Sequence, residues 1–368
     1  MIYDAIIIGG GPAGAACATV LSQAGLAVML CERACFPRAR ICGDCVNPRA
    51  WKLFDLLDVS EDIRALPLGR LRMITVSACQ HNPITVEPDT PSNQPFFAVK
   101  RALLDHVFLR RAEAAGANVQ EETHVGAVDW DDCWYAHVRQ GRDARSSVFK
   151  GRVLVGADGR NSLVGKTLAK QTSGGRQSAR VGIQWLARKQ TLPETVAMFL
   201  FNTGYAGVVN LDNHCSNIAM TTTPDAAQLA LTDFDAFANT TLFSNAAARQ
   251  TLDSINPLGE IATTFPINPV VRAVLPGAVF LAGDARRTLE PFTGEGVCFA
   301  LNDGVRTAAE VLRLFGKESV CQAPYRQSAW WPNHLFSQIL RSDRLTDAAI
   351  TMAARFPEMV PWLVRAVF

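Results

Sequence analysis

The chain is expected to fold as an α/β protein, with a Rossmann-like domain interleaved with a β-sheet domain and closed by C-terminal helices. Three observations predict this. The turn Gly9-Gly10-Gly11-Pro12-Ala13-Gly14 separates an apolar strand from a helix of small residues. Two further apolar strands end in Gly-Asp turns, at Gly156-Ala157-Asp158-Gly159 and at Gly283-Asp284. Residues 70–99 and 181–223 lose helical period and gain β-forming residues.

Taken in order, Ala5 to Ile8 is a strand, Pro12 to Ala24 a helix, and Ala27 to Leu30 a second strand closing with Cys31 and Glu32, which is a βαβ unit. Residues 70–99 read as antiparallel strands, through Ile74-Thr75-Val76 and Ile84-Thr85-Val86. Lys100 to Ala115 restores a helix, with Leu104, Phe108 and Ala112 on one face, until Gly116 stops it. Strands return over Val119 to Val138 and Val148 to Val155. Val181 to Thr223 forms a second β-rich lobe, Asp225 to Leu252 reads as helical, and Ala278 to Ala282 is one more buried strand before a helix over Val297 to Leu314. The last forty residues, with Trp330, Trp331, Phe336, Ile339, Leu340, Phe356 and Trp362, read as helices that pack as a lid. Without a linker tract, the division expected is 1–70, 100–175 and 266–320 for the cofactor domain, 71–99 and 176–265 for the substrate domain, and 321–368 for the helical segment.

Composition removes several functions. Thirty-six Lys and Arg against 34 Asp and Glu leave a charge of +2, too balanced for nucleic acid as a partner. The ten cysteines are scattered among apolar neighbours rather than spaced as a disulfide scaffold, so a reducing cytoplasm is expected. Residues 5–30 carry no charge, but their glycines and Pro12 cut the run into strand and helix, so no transmembrane segment is expected. The six histidines show no metal-ligand spacing, so no metal is expected, and there is no G-x-S-x-G elbow of a hydrolase.

The chemistry resides in the turns. In Gly9-x-Gly11-x-x-Gly14, the first glycine permits the tight turn, the second lets backbone approach a pyrophosphate, and the third lets helix pack on strand. Pro12 and Ala13 open the helix, whose free N–H groups attract phosphate. Glu32, eighteen residues after Gly14, is placed to accept the hydroxyls of an adenosine ribose. That favours FAD or NAD and disfavours NADP at this site. Three glycine-punctuated strand ends far apart in sequence suggest one long ligand.

These motifs, with Phe36-Pro37-Arg38-Ala39-Arg40-Ile41-Cys42-Gly43 and Pro291-Phe292-Thr293-Gly294-Glu295-Gly296, resemble flavoproteins of the p-hydroxybenzoate hydroxylase fold, in their geranylgeranyl-reductase-like branch, over residues 1–330. The resemblance implies that the Rossmann-like domain binds FAD, with Glu32 and Arg33 at the adenosine end, Arg40, Gly43 and Arg101 near the flavin chain and pyrophosphate, Val125 touching adenine through its main chain, and Asp158 and Asp284 in the two Gly-Asp motifs, Asp284 on the ribityl chain. Pro291, Gly294, Gly296 and Val297 would border the flavin, where the start of the Val297 helix favours negative charge on the reduced ring. Two departures stand out: Arg286 and Arg287 follow Gly-Asp-Ala, and Arg40 replaces the branch's lysine.

Cys42 is the candidate catalytic residue, because the resemblance brings its segment to the flavin and a thiol can orient or protonate a substrate. Cys42-Gly43-Asp44-Cys45 is also a C-x-x-C, so dithiol chemistry and simple packing stay open beside that role. The reaction expected first is a monooxygenase acting on a hydrophobic small molecule, free or carrier-bound, through a flavin hydroperoxide. The alternative is an oxygen-independent reductase or dehydrogenase of an isoprenoid or acyl double bond. A halogenase and a non-catalytic flavin-binding protein are minor alternatives. With a single G-x-G-x-x-G, NAD(P)H is expected to bind transiently, or a partner flavin reductase to supply electrons.

Overall fold

The computed structural model describes all residues except 79–81, 89–93, 142–144, 169–170, 174–179, 189, 191, 213, 253–254, 268–269, 274–276, 320, 327–330, 341–344, 346–347, 350, 353–354 and 357–368. The chain opens as β1 (Ile2–Ile8), α1 (Pro12–Gln23) and β2 (Val28–Cys31). Then come β3 (Cys45–Val46), α2 (Trp51–Leu56), α3 (Ser60–Arg64), β4 (Gly69–Leu71), β5 (Met73–Ser77), β6 (Ile84–Val86), β7 (Phe96–Ala98) and α4 (Arg101–Ala114). A second crossing of the molecule gives β8 (Asn118–Gln120), β9 (Thr123–Trp130), β10 (Trp134–Gln140), β11 (Arg145–Gly156), α5 (Leu163–Leu168) and β12 (Gln171–Ser173). The next strands are β13 (Arg180–Arg188), β14 (Thr195–Phe201), β15 (Gly204–Asn210) and β16 (Cys215–Thr222), followed by α6 (Pro224–Thr232), α7 (Phe234–Thr240) and α8 (Ala246–Thr251). The chain continues through β17 (Ala262–Ile267), β18 (Val271–Arg272), β19 (Val279–Leu281), α9 (Gly296–Leu314) and α10 (Trp331–Ile339).

Two large sheets result. In the first, β8, β2, β1 and β11 lie side by side, β19 joins β11 in parallel, and β9 and β10 extend the edge antiparallel. The central parallel strands are buried apolar runs, as a sheet covered on both faces requires, while β8 at the edge is polar and partly exposed. On one face α1, α4 and α9 pack around Leu21, Leu104, Phe108 and Val305. Close packing sets how near α9 lies to α1: a Cβ on Gly304 would lie 2.2 Å from the Ala13 carbonyl oxygen, so only glycine lets α9 rest on α1.

The second sheet runs β17-β13-β16-β15-β14-β5-β6. One face carries α6, α7 and α8 on a core of Trp185, Phe199, Ile218 and Phe237. The other presents Ile74, Met198, Leu200, Tyr205 and Val209 toward the small sheet β3-β7-β4, Phe292 and α10.

Two expectations are corrected. Residues 225–252 form three short helices rather than one, because Thr223, Asp233 and Asn245 each turn a side-chain oxygen back onto an N–H three residues on and so start a new helix. Residues 70–99 are not wholly antiparallel: β5 pairs antiparallel with β6 but parallel with β14, which ties this stretch into the second sheet. Of the helical lid, α10 alone of the longer helices is described. Phe336, Ile339 and Leu340 line a cavity while Trp331 and Phe356 are exposed, and Trp330 and Trp362 lie outside the described residues.

Candidate functional site

The turn after β1 is built as its glycines require. Gly9 has φ +104°, and a Cβ on Gly14 would sit 1.9 Å from the Gly9 carbonyl oxygen. Gly11 differs: a Cβ there would meet only Arg38 Nη2, at 3.6 Å. Its backbone borders open space at the start of α1, whose N-cap makes no side-chain hydrogen bond. Gly43 and Gly296 border open space too, with nothing within 4 Å of an added Cβ, and α9 likewise starts without a side-chain cap. Gly43 and Gly296 line one cavity, and Gly11 lies beside Arg38, which shares the Asp105 carboxylate with Arg101 of that cavity; the two helix starts carry the positive end of their dipoles at these open positions. This is the shape and polarity an extended dinucleotide with a central diphosphate needs.

Glu32 is buried at the end of β2, its Oε2 accepting from Gly10 N at 2.8 Å and its Oε1 from Ala34 N at 2.9 Å. These bonds fix the carboxylate's orientation at the end of β2. Val125 lies on edge strand β9 with its side chain in the core, two residues beyond Thr123, whose N–H donates to the Glu32 carbonyl. Arg33 is exposed beside Glu32. Asp158 accepts from Leu163 N at 2.6 Å and so secures the start of α5 as well as lying against the Gly9 turn.

Toward the middle of the groove the structure gathers arginines around two carboxylates. Asp105, fully buried on α4, holds Arg101 bidentately at 2.8 and 2.9 Å and Arg38 at 3.3 Å. Burial opposes charge on Arg101, but the Asp105 carboxylate more than offsets it and keeps the guanidinium charged. Arg40 lies over Gly159, with Nη2 3.3 Å from where a Cβ there would be. Enclosure by the groove walls and the neighbouring Arg38 and Arg101 push its guanidinium down to about 10, still charged at neutral pH. Asp284 lines the cavity, its carboxyl raised by burial and partly offset by Arg160, Arg40 and Arg101. Of the departures, Arg286 pairs with Asp303 of α9 at 3.2 Å.

At the far end lies a cavity of about 410 Å³, within the range that holds a small ligand. Cys42, Gly43, Arg101, Pro291, Gly294, Gly296 and Val297 border it at the groove, and Met198, Leu200, Val209 and Phe336 carry it onward. The Cys42 Sγ accepts from Arg101 Nη1 at 3.7 Å. Burial raises the thiol above its ordinary value although the Arg101 charge works the other way, so Cys42 is protonated at neutral pH. Asp44, in the left-handed region at φ 55°, accepts from Arg101 N at 3.2 Å and gives the bend after Gly43 its hold. Burial lifts its carboxyl to about 7.

Other residues at the site were not foreseen. Asp105 had a signal, its i,i+4 spacing from Arg101 on one helix. Asn333 of α10 accepts from Glu290 N at 2.9 Å and donates to Thr293 Oγ1 at 2.6 Å, so it fastens the C-terminal helix to the turn before Gly294. Buried Tyr205 donates to Glu290 Oε1 at 2.5 Å in the cavity wall. Among the described residues there is no metal-binding cluster and no helix long and apolar enough to cross a membrane.

A groove suited to a dinucleotide opens on an apolar chamber, and the match to a known family identifies the dinucleotide. The chain belongs to the FAD binding domain family, which it matches over residues 2–318. It is an FAD-dependent oxidoreductase. Among curated relatives it is 21% identical over 335 residues to digeranylgeranylglycerophospholipid reductase 1 of Methanococcoides burtonii, covering 87% of this chain and 77% of that protein. It is 28% identical over 334 residues to the menaquinone reductase of Mycobacterium tuberculosis, covering 84% and 76%. Its fold is that of the flavin-dependent brominase Bmp2, with a TM-score of 0.78, 18% identity, and 100% of this chain and 94% of that chain covered.

Proposed function

We propose that the chain uses FAD to reduce a carbon–carbon double bond in a long apolar substrate, isoprenoid-like in character. The observation that carries this reading is a chamber of apolar side chains with the Cys42 thiol, in contact with Arg101, at its groove end. In this reading Gly11, Gly43 and Gly296 give their backbone to the cofactor, Glu32 meets the adenosine, Arg40 and Arg101 face the diphosphate and flavin chain, and Asp284 the ribityl hydroxyls. Residues 71–99 and 176–265 supply the substrate domain, and the rest of the first 320 the cofactor domain.

Bound FAD supplies the electron pair, as hydride. The chain supplies the rest. Val76, Met198, Leu200, Val209 and Phe336 exclude water and hold a hydrocarbon by apolar contact. Arg101 orients the Cys42 thiol, and the thiol gives a proton to the carbon that does not take the hydride, after which water restores it. Both relatives described above are named as reductases, one of a geranylgeranyl lipid and one of menaquinone, which supports the same chemistry here. NAD(P)H acting transiently, or a partner flavin reductase, is the electron source in this account.

Oxygen insertion in the same chamber is the competing reaction, and the two differ in product mass. The enzyme incubated with a tetraprenyl alcohol and a reductant under argon should yield a product two hydrogens heavier. A product that forms only in air and gains an oxygen atom would overturn the proposal.

A further inference from the structure

Cys42 lies in a stretch, residues 39–44, that belongs to no helix or strand. Its backbone therefore has no ladder to hold it, yet both its polar groups are occupied. The Cys42 N–H donates to Gln184 Oε1 at 3.1 Å, and the Cys42 carbonyl accepts from Asn217 Nδ2 at 2.8 Å. Gln184 and Asn217 come from adjacent strands of the second sheet. β13 and β16 pair Gln184 with Ala219 and Leu186 with Asn217, so the two amides are diagonal neighbours on one face. They also bond each other, Gln184 Nε2 donating to Asn217 Oδ1 at 2.7 Å.

The orientation of both amides is set by the backbone they grip. An N–H can be met only by an acceptor, which fixes Gln184 Oε1 toward Cys42, and a carbonyl only by a donor, which fixes Asn217 Nδ2. The remaining ends are then complementary, which closes a ring through the Cys42 peptide units and the two amides. Asn217 is fully buried, so either partner lost would leave a buried polar group unmet.

We infer that Gln184 and Asn217 form a positioning clamp, which holds the Cys42 backbone from the substrate sheet so that the thiol keeps one place between Arg101 and the apolar chamber. The inference rests on the role proposed for Cys42, which it extends. The clamp also joins the two halves of the site: a substrate that presses on β13 or β16 acts on the position of the thiol through two hydrogen bonds.

The test is the alkylation of Cys42 by iodoacetamide in the FAD-loaded protein, read by peptide mass mapping against Cys45 in the same chamber as internal reference. Asn217→Asp keeps the volume but removes the donor to the Cys42 carbonyl. Gln184→Met keeps the length but removes the acceptor for its N–H. With FAD content and melting temperature close to those of the parent, each should raise the Cys42-to-Cys45 ratio about fivefold, the factor that one net hydrogen bond is worth. A ratio unchanged in both overturns the clamp. Should Asn217→Asp fail to fold, Gln184→Met decides alone. Because alkylation is read rather than turnover, a Cys42→Ala enzyme with full activity would remove the proton-donor role and leave the clamp standing, while an unchanged ratio would do the reverse.

Discussion

Two glycines of one turn should respond to the same substitution in opposite ways. An alanine Cβ at position 14 would lie 1.9 Å from the Gly9 carbonyl oxygen and 3.2 Å from the Ala157 Cβ. The first distance is far inside contact, and the obstacle is backbone, so α1 must move off β1. Overpacking of this kind costs about 1–3 kcal/mol. For a chain of 368 residues that corresponds to a drop of roughly 1–4 °C in melting temperature of the FAD-free protein. At position 11 the same methyl meets only Arg38, at the ordinary distance of 3.6 Å, so the apo fold should be indifferent. The methyl instead enters the space where the diphosphate must approach the start of α1, and loss of one charge-assisted hydrogen bond there weakens FAD binding about tenfold or more. Differential scanning fluorimetry of apo protein and FAD titration followed by fluorescence quenching separate the two effects. A Gly11→Ala protein with parental FAD affinity, or a Gly14→Ala protein with parental apo stability, would refute the assignment of open and closed sides to this turn.

Replacing Cys42 with Ala should slow substrate reduction by about a hundredfold or more, the usual range for general acid catalysis, while reduction of the flavin by its donor keeps its rate; stopped-flow absorbance resolves the two steps, and equal slowing of both would contradict a proton-donor role. Gly207 lines the chamber and a Cβ there touches only the end of Met198, 3.1 Å away. Gly207→Phe should therefore leave the FAD content intact and raise KM about tenfold, and an unchanged KM would place the substrate elsewhere. Asp44 should give the fold a pH dependence. Its carboxyl is raised from 3.8 to about 7, so between about pH 4 and pH 7 the folded chain keeps a proton that the unfolded chain has released, and stability falls as pH rises through this window. Asp44→Asn should remove that part of the fall, and urea melts at pH 4.5 and 8 should show its advantage over the parent growing with pH, on the order of a few kcal/mol; a constant difference would show that Asp44 titrates normally.

The parts of the site that were legible in the sequence are those where local geometry demands a residue type. Gly9, Gly11 and Gly14 announce the turn because no side chain fits at Gly9 or Gly14, and Gly11, which the structure leaves open, is where the proposed cofactor would approach. Glu32 follows from the length of a βαβ unit. The start of α9 is marked by Gly294 and Gly296. By contrast, Gln184 and Asn217 reach Cys42 across 142 and 175 residues of chain, and only the register of β13 on β16 sets them on one face. Asn333 is equally silent, since an asparagine in a helix rich in aromatics gives no sign that it grips a turn 40 residues earlier. The three helix starts between 223 and 245 do carry a local signal, since Thr223, Asp233 and Asn245 are all capping residue types, while the apolar pattern around them is helical throughout.

In the proposed reaction, electrons pass from bound FAD to a carbon–carbon double bond held in the apolar chamber. The most direct measurement is the absorbance of the reduced flavin under argon, near 450 nm, on mixing with a tetraprenyl alcohol. The account predicts that the oxidised spectrum returns in proportion to the alkene added and does not return with the fully saturated alcohol. Flavin that stays reduced with alkene and reoxidises only when oxygen is admitted would contradict it.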